Sequence, residues 1–338
     1  MDDVHRSVSV LAPSPFPPRL FQQHTSTVLR RCMMSEEKET HWTDVVRSFG
    51  APLAPDLSIL AHVLPEIRAY LKPFLELLRS RSPLDVFVEE AEEILSSRSG
   101  NETNYDIMKA LKDVETEEGD WRLPETRAHG HVDVSAVRVE KRLTSKEIVA
   151  QIRFMSIAGF DTTANTLGFL SILLARHPNV QEKLRSEIST FDADIVSLSS
   201  LPYLNACIQE ALRLFPHASP LQTRRCMEDV ELADGKRIPK GVEVVIDTWS
   251  VHHSKEIWGE NADVFLDRKW VEWMPFGVGP RHCVGMRFAL MEIRLAIIIL
   301  LQQFRIEAVD NLPVEMSVRD TGTVWPHRST VRLVSLVS

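Results

Sequence analysis

One helical pattern dominates this sequence. It runs from residue 144 to residue 176 and is closed at both ends. Thr144-Ser145-Lys146-Glu147 has the form of a capping box, a hydroxyl at the cap with a carboxylate three residues on. His177-Pro178 stops the helix, because the residue before a proline is driven out of the helical region. Pro178 then opens the next helix at the position that tolerates it. About thirty residues at about 1.5 Å each make a rod of about 45 Å, long enough to cross a whole domain. A chain organised on such a rod is mainly α. Inside it lies Ala158-Gly159-Phe160-Asp161-Thr162-Thr163. Glycine in a helix interior costs about 1 kcal/mol relative to alanine, and aspartate and threonine add nothing to helix propensity. Residues kept against such penalties have a task. Positions 154, 158 and 162 fall near one face. There Ala158 lets the helix pass close over a flat ring, Thr162 presents a hydroxyl beside the same space, and Asp161 can feed protons through water. A crossing of packed helices built on small residues explains the same stretch.

The rest of the pattern agrees with a mainly α chain carrying small β-sheets. Apolar residues at helical spacing predict helices over 54–78, 82–97, 104–114 and 202–214, and a last helix directly after Cys283. Residues 223–246 predict short strands, with Asp234-Gly235 as a turn and Val242, Val244 and Ile246 alternating beside it, and 333–337 predicts a final strand. Residues 115–140 are polar, with Gly119, Pro124 and Gly130, and predict a surface loop. The first forty residues predict no regular structure. The expected organisation is an irregular segment over 1–50 followed by one helical domain over 51–338. There is no internal repeat.

Composition removes several classes of function. The 338-residue chain is 44% hydrophobic, which supports a full core, and its net charge of −8 opposes broad attraction to nucleic acid. Four cysteines (Cys32, Cys207, Cys226, Cys283) are too scattered for a disulfide framework, and no Cys-x-x-Cys pair supports a zinc ribbon. No stretch reaches eighteen consecutive apolar residues, and the first residues lack the basic-then-apolar form of a secretory signal.

Chemistry concentrates at Phe276-Gly277-Val278-Gly279-Pro280-Arg281-His282-Cys283-Val284-Gly285. A cysteine at a helix start has its thiolate favoured by the first backbone N–H groups and the positive end of the helix. Gly277, Gly279 and Gly285 let backbone turn tightly and approach a flat cofactor. Arg281 offers a forked donor suited to a carboxylate. A buried cysteine before a core helix is the plainer alternative. Further back, Glu210 and Arg213 place opposite charges three apart on a helix, a spacing that usually gives a solvated surface pair.

The ten-residue stretch resembles the haem-ligand loop of the cytochrome P450 family, F-G-x-G-x-R-x-C-x-G, with every fixed position filled. Residues 158–163 resemble the family's A-G-x-[D/E]-T-T motif, and Glu210-Ala211-Leu212-Arg213 its E-x-x-R helix. The chain is thereby identified as a member, of animal microsomal type and truncated at its N-terminal side. The resemblance implies a cytochrome P450-like helical fold and a haem-thiolate monooxygenase that inserts one oxygen atom from dioxygen into an apolar organic substrate. Haem b (iron protoporphyrin IX) would be held by Cys283, with Arg281 and Arg224 on its propionates and with Phe276, Gly277, Gly279, Gly285 and Ala158 against it. Asp161 and Thr162 would manage protons. Glu210 and Arg213 would form a buried structural pair, and Phe154, Ile157 and Ala158, with the loop 218–222 and the turn 321–324, would meet substrate. Electrons would come from NADPH through a separate flavoprotein reductase, for which Arg287 and Arg294, seven apart on the last helix, offer one basic face. The family also implies association with the endoplasmic reticulum membrane; no anchor or signal stands in the sequence, so a cytoplasmic setting is open.

Three features depart from the family pattern. About a third of a usual family chain is absent on the N-terminal side. Lys269 stands where the family has an arginine, and lysine lacks the planar fork. Only five residues, 271–275, connect that segment to Phe276. These departures favour a rival reading, a non-catalytic remnant with weak or no haem binding. A peroxide-using haem enzyme without a reductase is a second rival, against which the Asp161-Thr162 pair speaks.

Overall fold

A computed structural model of the chain describes residues 18–35, 83–98, 105–113, 143–189, 191, 197–218, 223–265, 273–310, 313–318, 323–327 and 330–336. The expected helix over 54–78, the loop over 115–140 and Lys269 lie outside the described residues. The chain divides into two units, Met1–Thr25 with Gly159–Ser338, and Ser26–Ala158. Helix α1 (Pro18–Met34) and the long helix each contribute residues to both.

Helix α1 corrects the expectation of an irregular N-terminal stretch. Its buried positions are 21, 22, 25, 26, 29, 30, 33 and 34, a strict four-residue stripe. Half of that stripe is polar (Gln22, Thr25, Ser26, Arg30), so the apolar periodicity that announces a helix is diluted.

In the unit Ser26–Ala158, α2 (Pro83–Ser97) buries Phe87, Ala91 and Leu95 at four-residue spacing, and α3 (Ile107–Lys112) buries Met108. Asp106 caps α3 by accepting from the Lys109 N–H at 2.8 Å. Both its oxygens also receive Arg98, at 2.7 and 2.6 Å. Burial alone would raise the Asp106 carboxyl; the bonds from Arg98, Lys109 and Ser35 outweigh it and hold the group below its ordinary value. The long helix, α4 (Ser145–Arg176), starts where the sequence predicts. The Thr144 N–H donates to Glu147 Oε2 at 2.9 Å and the Glu147 N–H to Thr144 Oγ1 at 3.3 Å, the reciprocal pair of a capping box.

In the other unit, α4 is buried on every side over 163–175. Among the described residues α4 is the one helix long and apolar enough to cross a membrane, and 72% of its most apolar window lies inside the protein, as in a core helix. Around it stand α5 (Pro178–Ile188), α6 (Pro202–Leu214), the short α7 (Thr248–His253) and α8 (Lys255–Trp258), and α9 (Met286–Gln303). Leu167, Leu170 and Leu174 of α4 share a core with Leu184 of α5, Leu204 and Ile208 of α6, and Ile293, Ile297 and Leu301 of α9. Fully burying each such side chain stabilises by about 1.5–3 kcal/mol. Prolines open α5 and α6 at their first position. The start of α6 is capped from α5, whose Glu187 accepts from the Tyr203 and Leu204 N–H groups, both at 2.8 Å.

Four two-stranded antiparallel ladders complete this unit. They pair β1 (Thr223–Arg225) with β4 (Glu243–Val245), β2 (Val230–Glu231) with β3 (Arg237–Ile238), β5 (Phe304–Ala308) with β8 (Val331–Ser335), and β6 (Glu315–Val318) with β7 (Val324–His327). The predicted strands, the Asp234-Gly235 turn (Gly235 φ 81°) and the last strand are all present. Sequence periodicity missed α7, α8, β5, β6 and β7. They are four to six residues long, too short for a period to show.

Candidate functional site

The cysteine loop is a backbone construction. Gly277 and Gly279 take φ of 71° and 75°, conformations open to glycine. A 3-10 turn, Gly279–Arg281, follows. The Cys283 N–H donates to the Phe276 carbonyl at 2.8 Å and closes the loop on itself. Helix α9 begins at Met286, so Cys283 stands just before it, and the Met286 N–H donates back to the Cys283 carbonyl at 3.3 Å. Gly285 has an ordinary φ of −83°, and a Cβ there would meet Cys283 Sγ at 3.9 Å, an ordinary van der Waals distance. Cys283, Gly279, Arg281, His282 and Val284 are exposed, and Phe276 and Gly277 are half-buried. The alternative of a cysteine buried before a core helix does not hold.

The loop hangs from a buried polar frame that begins in α6. Glu210 and Arg213 are 1% and 0% exposed at their side chains and form a two-pronged pair: Arg213 Nε donates to Oε2 at 2.8 Å and Nη2 to Oε1 at 2.9 Å. The remaining prong, Nη1, donates to the His252 carbonyl of α7 at 2.5 Å. Trp258 stacks over the guanidinium at 5.0 Å. The His252 ring in turn accepts the Met274 N–H on Nε2 at 3.0 Å, and the Met274 carbonyl accepts the Gly277 N–H at 3.0 Å. Beside it, Trp273 Nε1 donates to the Gln209 carbonyl at 3.0 Å, and the Trp273 and Phe276 rings meet edge to face at 5.9 Å. Burial lowers the His252 pKa to about 4, so the ring is neutral, and with Nε2 accepting, its proton sits on Nδ1. Sequence reasoning missed His252 and Trp273. The pair His252-His253 invites a zinc reading, yet His253 spends its two nitrogens on Asp263 at 2.7 Å and the Leu214 carbonyl at 3.1 Å.

On α4, Asp161 and Thr162 are half-buried. The Gln22 amide donates to Asp161 Oδ1 at 3.3 Å. One turn on, the Thr166 hydroxyl donates to the Thr162 carbonyl at 2.9 Å and meets His217 Nε2 at 2.8 Å. His217 is buried, and burial holds its pKa down to about 4. Its carbonyl accepts the Val324 N–H at 2.7 Å, and Asn165 donates to the Val324 carbonyl at 3.2 Å. The segment after α6 and the start of β7 are thus fastened to α4 beside Thr162. Earlier on α4, Phe154 and Ala158 are exposed and Ile157 is half-buried. Arg224, on β1, is exposed and donates to the carbonyl of its own neighbour Thr223 at 2.9 Å. Arg287 is exposed, but Arg294 is half-buried and donates to Asn205 at 2.7 Å. The single basic face expected from their spacing is therefore reduced to Arg287, with Arg294 turned to packing against α6. Of the expected loops, 219–222 and 321–322 lie outside the described residues.

Among the described residues no group of three or more His, Cys, Asp or Glu could hold a metal ion. One exposed sulfur on a glycine-turned loop can serve as a single protein ligand to a metal complex that carries its own other donors.

Comparison with known proteins agrees. The family profile described as Cytochrome P450 matches residues 81–331. Cytochrome P450 CYP13A5 of Caenorhabditis elegans is 34% identical over 227 residues, 62% of this chain and 43% of that protein. CYP13A3 of the same organism is 28% identical over 347 aligned residues, 93% of this chain and 65% of that protein. Cytochrome P450 cyp-13B1, also from C. elegans, is 38% identical over 207 residues, 58% and 40% of the two chains. The chain spans less than two thirds of the length of each of these relatives.

Proposed function

The chain belongs to the cytochrome P450 family, and we propose that it works as a haem-thiolate monooxygenase on a small apolar substrate. The observation that carries this reading is the exposed Cys283 sulfur, presented by a loop whose backbone is closed through Phe276 and turned at Gly277 and Gly279. In this reading Cys283 would hold haem b through its sulfur. Arg281 and Arg224 would serve its propionates, and Phe276, Gly277, Gly279, Gly285 and Ala158 would lie against the ring. When bound, the haem would supply the oxygen chemistry, and a thiolate ligand would favour it by donating electron density.

The chain's own residues do the rest. Gly285 borders the sulfur. Thr162 supplies a hydroxyl that can hold or pass a proton, and Asp161, half-buried and oriented by Gln22, is the carboxylate that replenishes it. Phe154, Ile157 and Ala158 offer apolar surface to the substrate. Glu210 and Arg213 hold the frame and take no part in the chemistry. One atom of dioxygen enters the substrate and the other leaves as water, which requires two electrons and two protons. NADPH supplies the electrons through a flavoprotein reductase. The endoplasmic reticulum surface is the proposed setting, and residues 51–338 are the proposed haem domain.

The test is turnover of the haem-loaded chain with NADPH and a reductase. Parent protein is expected to couple electron use to an oxygenated product, and Thr162→Ala to divert reducing equivalents to hydrogen peroxide. Equal coupling in parent and variant would remove Thr162 from proton delivery. Haem loading without any oxygenated product would leave a binding protein.

A further inference from the structure

We infer that His252 is a positioning residue for Cys283: its neutral ring carries the hold of the buried Glu210–Arg213 pair across to the base of the cysteine loop. The inference rests on the thiolate reading of Cys283 and adds to it the residue that sets where the loop stands.

His252 is 0% exposed and is gripped at two points, as an acceptor at both. Its carbonyl accepts Arg213 Nη1 at 2.5 Å, which fixes the backbone of α7 to the ion pair in α6. Its Nε2 accepts the Met274 N–H at 3.0 Å, which fixes the residue two before Phe276. Met274 then accepts from Gly277, the first positive-φ turn of the loop, and Phe276 accepts from Cys283. Four hydrogen bonds in series thus run from a buried guanidinium to the cysteine backbone. An ordinary buried histidine needs only some partner; this one must present an acceptor, because what faces Nε2 is a backbone N–H. Trp258 stands edge-on to the ring, 6.3 Å away, and also lies against the Arg213 guanidinium. Among the described residues Nδ1 has no hydrogen-bond partner, so there Nε2 is the ring atom through which hydrogen bonding fixes the side chain. Trp273, next to Met274 in the chain, is tied separately to the Gln209 carbonyl.

The test compares parent, His252→Gln and His252→Leu. Glutamine carries an acceptor oxygen about as far from the backbone as Nε2, whereas leucine fills space without one. In haem-free protein, hydrogen exchange at the Met274 amide is the readout. Leucine is expected to speed it by about tenfold or more, the effect of one buried bond lost, and glutamine to restore it to within about threefold of the parent. In haem-loaded, reduced protein under carbon monoxide, leucine is expected to shift a larger fraction of the absorption to the form without thiolate, and glutamine a smaller fraction. Should the leucine variant not fold, the glutamine variant decides: parent-like exchange at Met274 supports the inference, and exchange accelerated tenfold overturns it. Unchanged exchange at Met274 in a folded leucine variant also overturns it. A parent chain without the thiolate spectrum would sink the haem-thiolate reading, while the exchange result would still report on His252.

Discussion

Glu292 gives the most quantitative test of how this core is built. It lies on α9, 4% exposed, and neither carboxylate oxygen has a close hydrogen-bond partner among the described residues. His24 Nε2 stands 3.8 Å away, but burial lowers that imidazole's pKa, so it is a poor counter-charge. Burial pushes the Glu292 carboxyl up to about 7 from 4.5, and the neighbouring Thr25 hydroxyl offsets only part of that. The folded protein therefore keeps the Glu292 proton up to about pH 7, whereas the unfolded chain releases it above 4.5. Between those values the folded state binds more protons, so stability falls as pH rises. Raising the pKa from 4.5 to about 7 corresponds to about 3.5 kcal/mol in full, most of it falling between pH 4.5 and pH 8. Glu292→Gln keeps the shape and removes the charge. Urea unfolding of parent and variant at pH 4.5 and pH 8 is the assay. The variant is expected to match the parent at pH 4.5 and to exceed it by about 3 kcal/mol at pH 8. Histidines away from Glu292 titrate alike in both proteins and cancel. The same stability difference at both pH values would refute the argument, since it would mean that Glu292 ionises as freely in the folded protein as in the unfolded chain.

Other expectations follow from the same geometry. His217 and His252, each held near 4 by burial, bind protons in the unfolded chain from about 6.5 downward but not in the folded one. Each therefore removes up to about 3 kcal/mol as pH falls from 6.5 to 4, and in Glu292→Gln, where the opposing carboxyl is gone, that acid loss should appear undiluted in urea midpoints. Glu210→Ala leaves the Arg213 charge buried and alone, and should cost about 3–5 kcal/mol by urea unfolding; a loss under about 1 kcal/mol would place the pair in water. Gly285→Val keeps an allowed backbone (φ −83°) and sets two methyl groups beyond a Cβ already in van der Waals contact with Cys283 Sγ. It should leave the melting temperature near the parent's while weakening haem uptake in a titration, and unchanged uptake would show that the space beside the sulfur is not needed for haem.

Legibility in the sequence followed length and polarity. The long helix α4 could be read because thirty-two residues repeat a period many times and both ends carry stop and start chemistry in their own side chains. Helix α1 could not, because Gln22, Thr25, Ser26 and Arg30 occupy half of its buried stripe. The cysteine loop was legible as a motif, since glycines and a cysteine at fixed spacing are contiguous in the chain. What supports the loop was not legible. His252, Met274 and Trp273 join Arg213 and Gln209 across 39 to 64 positions, and no local pattern marks a histidine as an acceptor for a distant amide. Glu210 and Arg213 show the opposite limit: their spacing fits a solvated pair and a buried one equally well, and only packing by Trp258 and α7 decides.

The most direct measurement is the absorption spectrum of the haem-loaded chain, reduced and exposed to carbon monoxide, taken for the parent and for Cys283→Ala. Ligation by the Cys283 sulfur predicts the red-shifted band of thiolate-bound haem in the parent and its loss in the variant. The same band in both proteins, or none in a parent that has taken up haem, would contradict it.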